Sequence, residues 1–166
     1  IGRTQDVFGD KIYDITEQVK DTIEQIESTH SDSKRAIDRL KEFVKKGAVK
    51  SVVETAQTSY GSDMKASDKR QIEAKLNHEA DKMIDKLHTN FEIQKKVIEQ
   101  QRVEAQQNRT ETGRSSAEID KEFEQKQKDV IEKFNEELTV AIQDFTQESS
   151  KETVRTVETK KKEREK

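Results

Sequence analysis

The chain has 166 residues, of which 40% are charged and 29% are hydrophobic, and its formal net charge is −3. It contains no cysteine, which excludes disulfides and thiolate metal sites, and it has no apolar run long enough to span a bilayer. An average chain of this length would carry about eight prolines, whereas this one has none and only five glycines. Because proline and glycine interrupt helices, their scarcity predicts an all-α protein built from a few long helices.

The first predicted helix covers residues 4–28. Its apolar positions recur at steps of three and four, which is the spacing of one face of an amphipathic helix. They are Phe8, Ile12, Ile15, Val19, Thr22 and Ile26. The opposite face is acidic and consists of Asp10, Asp14, Glu17, Asp21 and Glu24. Polar residues 28–33 then predict a short turn between helices.

The second predicted helix covers residues 33–60, and its first half is basic over residues 34–50. Since the first helix is acidic, an antiparallel hairpin would lay two complementary helices side by side. Exposed ion pairs contribute only about 0.2–1 kcal/mol each, so the charges favour this pairing over others more than they hold it together. Gly47 inside this helix predicts a kink or a close helix crossing.

The third and fourth helices are predicted at residues 68–112 and 115–150. Ser115 and Glu118 have the spacing of a capping box, and Gly113 before them suits a left-handed helix end. The stripe of the third helix is Ile72, Leu76, Ala80, Met83, Leu87, Phe91, Gln94 and Ile98, flanked by Ile84 and Val97. That of the fourth is Ile119, Phe123, Gln127, Val130, Phe134, Leu138, Ala141 and Phe145, flanked by Ile131 and Ile142.

These patterns predict an elongated antiparallel helical bundle over residues 1–150, with residues 151–166 as a charged helical extension or a flexible tail. The stripe of the third helix fades after Ile98, so a thin hairpin around residues 100–116 is expected to protrude from the bundle. The residues expected in the core are Phe8, Ile15, Val19, Leu40, Val44, Leu76, Met83, Leu87, Phe91, Phe123, Val130, Phe134, Leu138 and Phe145.

Enzyme chemistry has little support, because the sequence contains no glycine-rich phosphate loop and no nucleophile motif. The pairs Glu27/His30 and Asp85/His88 have the carboxylate–histidine spacing of di-iron four-helix bundles. However, His30 lies beside a turn, and Asp85 lies across its helix from the apolar stripe. We therefore expect no catalytic residue, no cofactor and no metal site.

The favoured interpretation is a non-enzymatic helical scaffold or protein-interaction module, whose partner is another protein or a second copy of the chain. The hairpin at residues 100–116 and the acidic face at residues 10–24 are the candidate surfaces. Two alternatives remain, namely reversible binding to a membrane surface by amphipathic helices and a hydrophilic stress protectant. Nucleic-acid binding is disfavoured because the net charge is −3, so the basic residues could attract nucleic acid only locally.

The sequence predicts no compartment, and its residues identify no protein family. Asn108 begins an Asn-Arg-Thr glycosylation sequon, which would matter only in a secreted protein.

Overall fold

The structure, a computed structural model, describes the backbone of residues 2–28 and 33–165 and the side chains of residues 14–28 and 33–165. The described residues are helical and contain no strand, which confirms the all-α class. The helices are α1 (Gly2–Ser28), α2 (Ser33–Val44), α3 (Lys50–Tyr60), α4 (Ala66–Gln107), α5 (Arg109–Thr112) and α6 (Ser116–Glu165). A π-helical segment (Lys45–Val49) joins α2 to α3, and a 3₁₀ turn (Gly61–Asp63) follows α3.

The helices form two layers. One layer is the antiparallel pair of α4 and α6, which contact each other from the ion pair of Asp68 with Arg164 to the hydrogen bond between Gln106 and Ser116. The other layer consists of α1, α2 and α3, of which α1 and α3 pack on α6 while α2 and α3 pack on α4. With 42 and 50 residues, α4 and α6 are about 63 and 75 Å long.

The helix α4 begins two residues before its predicted start. The backbone N–H of Lys65 donates to the Asp68 carboxylate at 3.3 Å. Asp68, the third residue of the helix, therefore caps its first turn. The same helix ends at Gln107, and the single turn α5 completes the range predicted as one helix.

Most of the predicted core is confirmed. Nine of its residues are buried, namely Ile15, Val19, Leu40, Val44, Leu76, Phe91, Phe123, Phe134 and Leu138. Four residues predicted to be buried are only half-buried, packed against the core: Met83, Leu87, Val130 and Phe145. The Phe8 side chain lies outside the described residues.

Two of the four residues expected at the flanks of the long stripes, Ile84 and Ile142, have no exposed surface. Each long helix faces both its antiparallel neighbour and the layer of α1–α3, so the buried side of the helix is turned toward that layer. This is why Ile142 replaces Phe145 at the centre of the core.

The helices α1 and α2 pack side by side. Among the described side chains, however, the ion pairs from α2 and the π-helical segment to another helix go to α4 and not to α1. Lys41 contacts Asp85, and the Lys45 ammonium lies 3.0 Å from Asp81. The hydrogen bond to Asp81 raises the pKa of Lys45 above its usual range.

Gly47 lies in the π-helical segment, so the helix is irregular where the sequence predicts a kink. It is not a close crossing, because a Cβ atom built on Gly47 would meet no atom within 4 Å. A small cavity of about 50 Å³ lies beside it, lined in part by Ile15, Phe43 and Thr146.

Residues 151–165 continue α6 and pack against the bundle. Thr153 and Val157 are buried, and Lys160 and Arg164 both contact the carboxylate of Asp68. Burial raises the pKa of the Asp68 carboxyl, but the hydrogen bonds from Arg164, Lys160 and Lys65 outweigh burial and leave this pKa below its usual range. The C-terminal turns of α6 therefore hold the first turn of α4 in place through these ion pairs.

Candidate functional site

The distal end of the α4–α6 pair is a defined hairpin, which we call the tip and which comprises residues 96–126. The end of α1 reaches the pair at a groove that Ile26 and Lys95 both line. Beyond Lys95, α4 continues for twelve residues to Gln107, which is about 18 Å. The tip thus extends past the point where the short helices end.

The turn of the tip has well-formed backbone geometry. Gly113 ends α5 in the left-handed region with φ of +72°, where glycine is the least strained residue. The Ser115 hydroxyl oxygen accepts the Glu118 N–H at 3.1 Å, which is the serine half of the predicted capping box. The sequence therefore determines this reversal locally.

Charged side chains tie the two helices of the tip together. The guanidinium of Arg102 donates to Glu99 at 2.6 Å and to Asp120 of α6 at 3.2 Å. These contacts raise the pKa of Arg102, and the hydrogen bond from Arg102 lowers the pKa of Glu99. The side-chain amide of Gln106 donates to Asp120 at 2.9 Å and to the carbonyl of Ser116 at 3.1 Å.

A further contact links Arg114 in the turn to Glu122 of α6, and its hydrogen bond lowers the pKa of Glu122. None of these side-chain contacts was predicted from the sequence. Charged residues occur throughout α4 and α6, and only the register between the two helices decides which of them meet.

The tip also has its own apolar core. Ile98, Ile119 and Phe123 form a buried cluster with Ala105 and Val130 packed against it, and Val130 also packs against the main core. The ammonium of Lys126 lies 4.6 Å from the centre of the Phe123 ring, a cation–π contact that shields the ring from water. This small core orders the tip without help from α1–α3.

The remaining side chains of the tip face solvent. Val103 is 41% exposed. Around it lie exposed polar residues that include Gln100, Gln101, Glu104, Gln107, Asn108, Arg109, Thr110 and Glu111. Asn108 stands at the break between α4 and α5, so its sequon is on the exposed surface. The two helices of the tip are therefore held together by side-chain contacts, and the outer surface of the tip is polar and exposed to solvent.

A groove of about 650 Å³ lies at the base of the tip. Its floor is apolar and consists of Ile26, Phe91 and Ile131, while its rim is charged and mixed in sign. The Phe91 ring is stacked on Phe134 with centroids 4.2 Å apart, and only 3% of Phe91 is exposed. Phe91 therefore contributes little to the free surface of the groove, although the accessible lining as a whole is mainly apolar.

One cluster resembles a catalytic arrangement. The Nε2 atom of His88 lies 2.8 Å from the Ser33 hydroxyl, which also donates to Glu92 at 2.9 Å. A hydroxyl has one proton, so when Ser33 donates to Glu92, His88 must act as the donor to Ser33. In this arrangement His88 cannot act as the base that activates the serine, and the cluster ties the start of α2 to α4.

The residues considered for metal binding are not assembled into a site. Asp85 is engaged by Lys41, Glu27 is exposed, and His30 lies outside the described residues. Over residues 14–28 and 33–165, no three histidine or acidic side chains are placed to hold a metal ion.

The acidic face of α1 is exposed wherever its side chains are described. Its residues there are Asp14, Glu17, Asp21 and Glu24. Asp10, the first residue of this predicted face, has no described side chain.

Among the described helices, none is both long enough and apolar enough to cross a bilayer. No protein-family model, no curated protein and no solved structure matches this chain.

Proposed function

We propose that the protein is a non-enzymatic interaction module that holds the tip away from its bundle and binds another protein through it. The observation that carries this proposal is the internal order of the tip. Its two helices are joined by Arg102, Gln106 and Arg114 and packed on a small apolar core. A surface that is ordered before binding loses less conformational entropy when a partner docks.

The exposed surface of the tip suits recognition of a polar partner surface. Its glutamine, glutamate and arginine side chains provide both donors and acceptors, and Val97 and Val103 give apolar contact points at 44% and 41% exposure. Binding at the tip itself would therefore depend mainly on hydrogen bonds and shape.

The same features favour this proposal over lipid binding. The apolar faces of α1, α2 and α3 are buried in the bundle, for example at Val19, Leu40 and Val53. Lipid binding through these faces would require the bundle to open first, which costs the burial of its core.

A photo-crosslinking residue placed at Gln107 in cells that produce the protein tests the proposal. The matched control carries the same residue at Lys82, which is exposed on α4 but outside the tip. We expect one protein to be captured from Gln107 and not from Lys82. An excess of unlabelled protein should compete with this capture, whereas an excess of the variant carrying Glu104→Lys and Glu111→Lys should compete poorly. Equal capture at both positions, or no capture, would contradict the proposal.

A further inference from the structure

The outer surface of the α1–α2 layer carries two adjacent faces of opposite charge. Within the described part of α1, the exposed charged residues are Asp14, Glu17, Lys20, Asp21, Glu24 and Glu27. Over α2, the π-helical segment and the start of α3 they include Arg35, Asp38, Arg39, Glu42, Lys46 and Lys50. The first set is predominantly acidic and the second is predominantly basic, so the two helices differ in sign along their exposed faces.

These two faces do not neutralise each other within one molecule. Among the described side chains, no ion pair joins an acidic residue of α1 to a basic residue of α2, although the helices pack together. Both helices bury one side in the bundle, so their charged side chains lie on its outer surface. Lys46 lies 3.8 Å from Glu42 of the same molecule. Arg35 and Arg39 make no ion pair with any described side chain and remain available to a surface that approaches from outside.

We propose that this surface binds the same surface of a second copy of the chain around a two-fold axis parallel to the helices. Such a rotation exchanges the two sides of the hairpin. It places α1 of each copy over α2 of the other copy, so the interface contains this contact twice. The acidic face then opposes the basic face in both halves of the interface. The occupant is a second copy because the chain itself presents the complementary charges in the required spacing.

The positions of the charges along the hairpin agree with this arrangement. The height of a residue is the number of residues that separate it from Ser28 in α1 or from Ser33 in α2. The helix α1 ends at Ser28 and α2 begins at Ser33. Asp21 lies seven residues before Ser28 and Arg39 lies six residues after Ser33, so the two are at nearly equal height. Glu24 lies between Arg35 and Arg39 in height, although the acidic residue Asp38 is also level with it. Asp14 lies level with Lys46.

The contact must be weak and dependent on salt. The large apolar residues that are exposed in the described part of the chain belong to α4 and α6, so the α1–α2 surface offers charge and little apolar area. Exposed ion pairs are screened at a Debye length of about 3 Å in 1 M salt and about 30 Å in 0.01 M salt. We expect the dissociation constant of the dimer to rise at least about tenfold from about 0.02 M to about 0.5 M salt.

Sedimentation velocity on the full chain tests the inference with two charge-reversed variants. Glu17→Lys with Asp21→Lys removes the acidic excess of the α1 face, and Arg35→Glu with Arg39→Glu removes the basic excess of the α2 face. Each variant alone should be monomeric in low salt at concentrations where the wild type is partly dimeric. An equimolar mixture of the two should form a dimer again, because the introduced lysines of one variant then oppose the introduced glutamates of the other.

The control variant is Glu104→Lys with Glu111→Lys, which changes the net charge as much as Glu17→Lys with Asp21→Lys does but lies in the tip. It should sediment like the wild type, and circular dichroism should show that all variants remain helical. A monomeric wild type in low salt would overturn the inference, and so would variants that dimerise as the wild type does or a mixture that stays monomeric. None of these results bears on binding at the tip, which is tested separately by crosslinking.

Discussion

Replacement of Phe134 by alanine is the most informative test of the packing. Phe134 is 2% exposed and lies against Phe91, with ring centroids 4.2 Å apart and planes inclined by 9°. Removing a buried phenylalanine side chain costs about 3–5 kcal/mol, from lost burial and from the cavity left behind. Of this, about 0.5–1.5 kcal/mol belongs to the contact between the two rings. We therefore expect Phe134→Ala to lose about 3–5 kcal/mol of unfolding free energy.

Urea denaturation followed by circular dichroism measures this change, and the slope of free energy against urea concentration shows whether unfolding remains two-state. Phe134→Leu should lose less, because it keeps most of the buried volume and gives up the ring contact. Val140→Ala is the matched control on the same helix, since Val140 is 54% exposed and should change stability by less than about 0.5 kcal/mol. A loss below about 1 kcal/mol for Phe134→Ala would refute the described packing.

Three further changes test other parts of the bundle. Asp68→Asn should lower the unfolding free energy by about 1–3 kcal/mol near neutral pH, because it removes the carboxylate that Lys160 and Arg164 contact. Since folding lowers the pKa of Asp68 from its ordinary value of 3.8, its stabilisation is present above that pH. It is lost as the pH falls through the folded-state pKa, so acid melts of Asp68→Asn should be flatter than those of the wild type. A chain that ends at Ser150 should melt at a lower temperature than the full chain, because it loses the burial of Thr153 and Val157; an unchanged melting temperature would mean that residues 151–165 do not pack. Gly47→Ala should stabilise the protein by up to about 1 kcal/mol in a thermal melt, since a Cβ atom there meets nothing within 4 Å; destabilisation would show that the π-helical segment needs glycine.

The sequence alone predicts the helical class and most of the core because both depend on local chemistry. The lack of proline favours long helices, and the steps of three and four identify residues such as Val19 and Leu138 as buried. The capping serine and Gly113 likewise determine the reversal at the tip from within a few residues.

The features that sequence analysis missed depend on contacts between distant segments. Ile142 moves to the centre of the core because α1 and α3 pack on α6 from a second direction. Thr153 is buried although it is polar, so a pattern of apolar residues could not reveal that the last turns of α6 pack. The partners of Lys41 and Arg102 depend on register, which composition and periodicity do not define.

Hydrogen exchange measured by mass spectrometry on the isolated protein tests the order of the tip most directly. The central claim is that residues 98–106 and 119–126 are held in place before any partner binds. We expect their amides to exchange on the order of 100-fold more slowly than those of an unstructured peptide. Arg102→Ala with Gln106→Ala should reduce this protection while the amides of α2 and α3 keep theirs. Full exchange of the tip of the unaltered protein at the rate of an unstructured chain would contradict the claim.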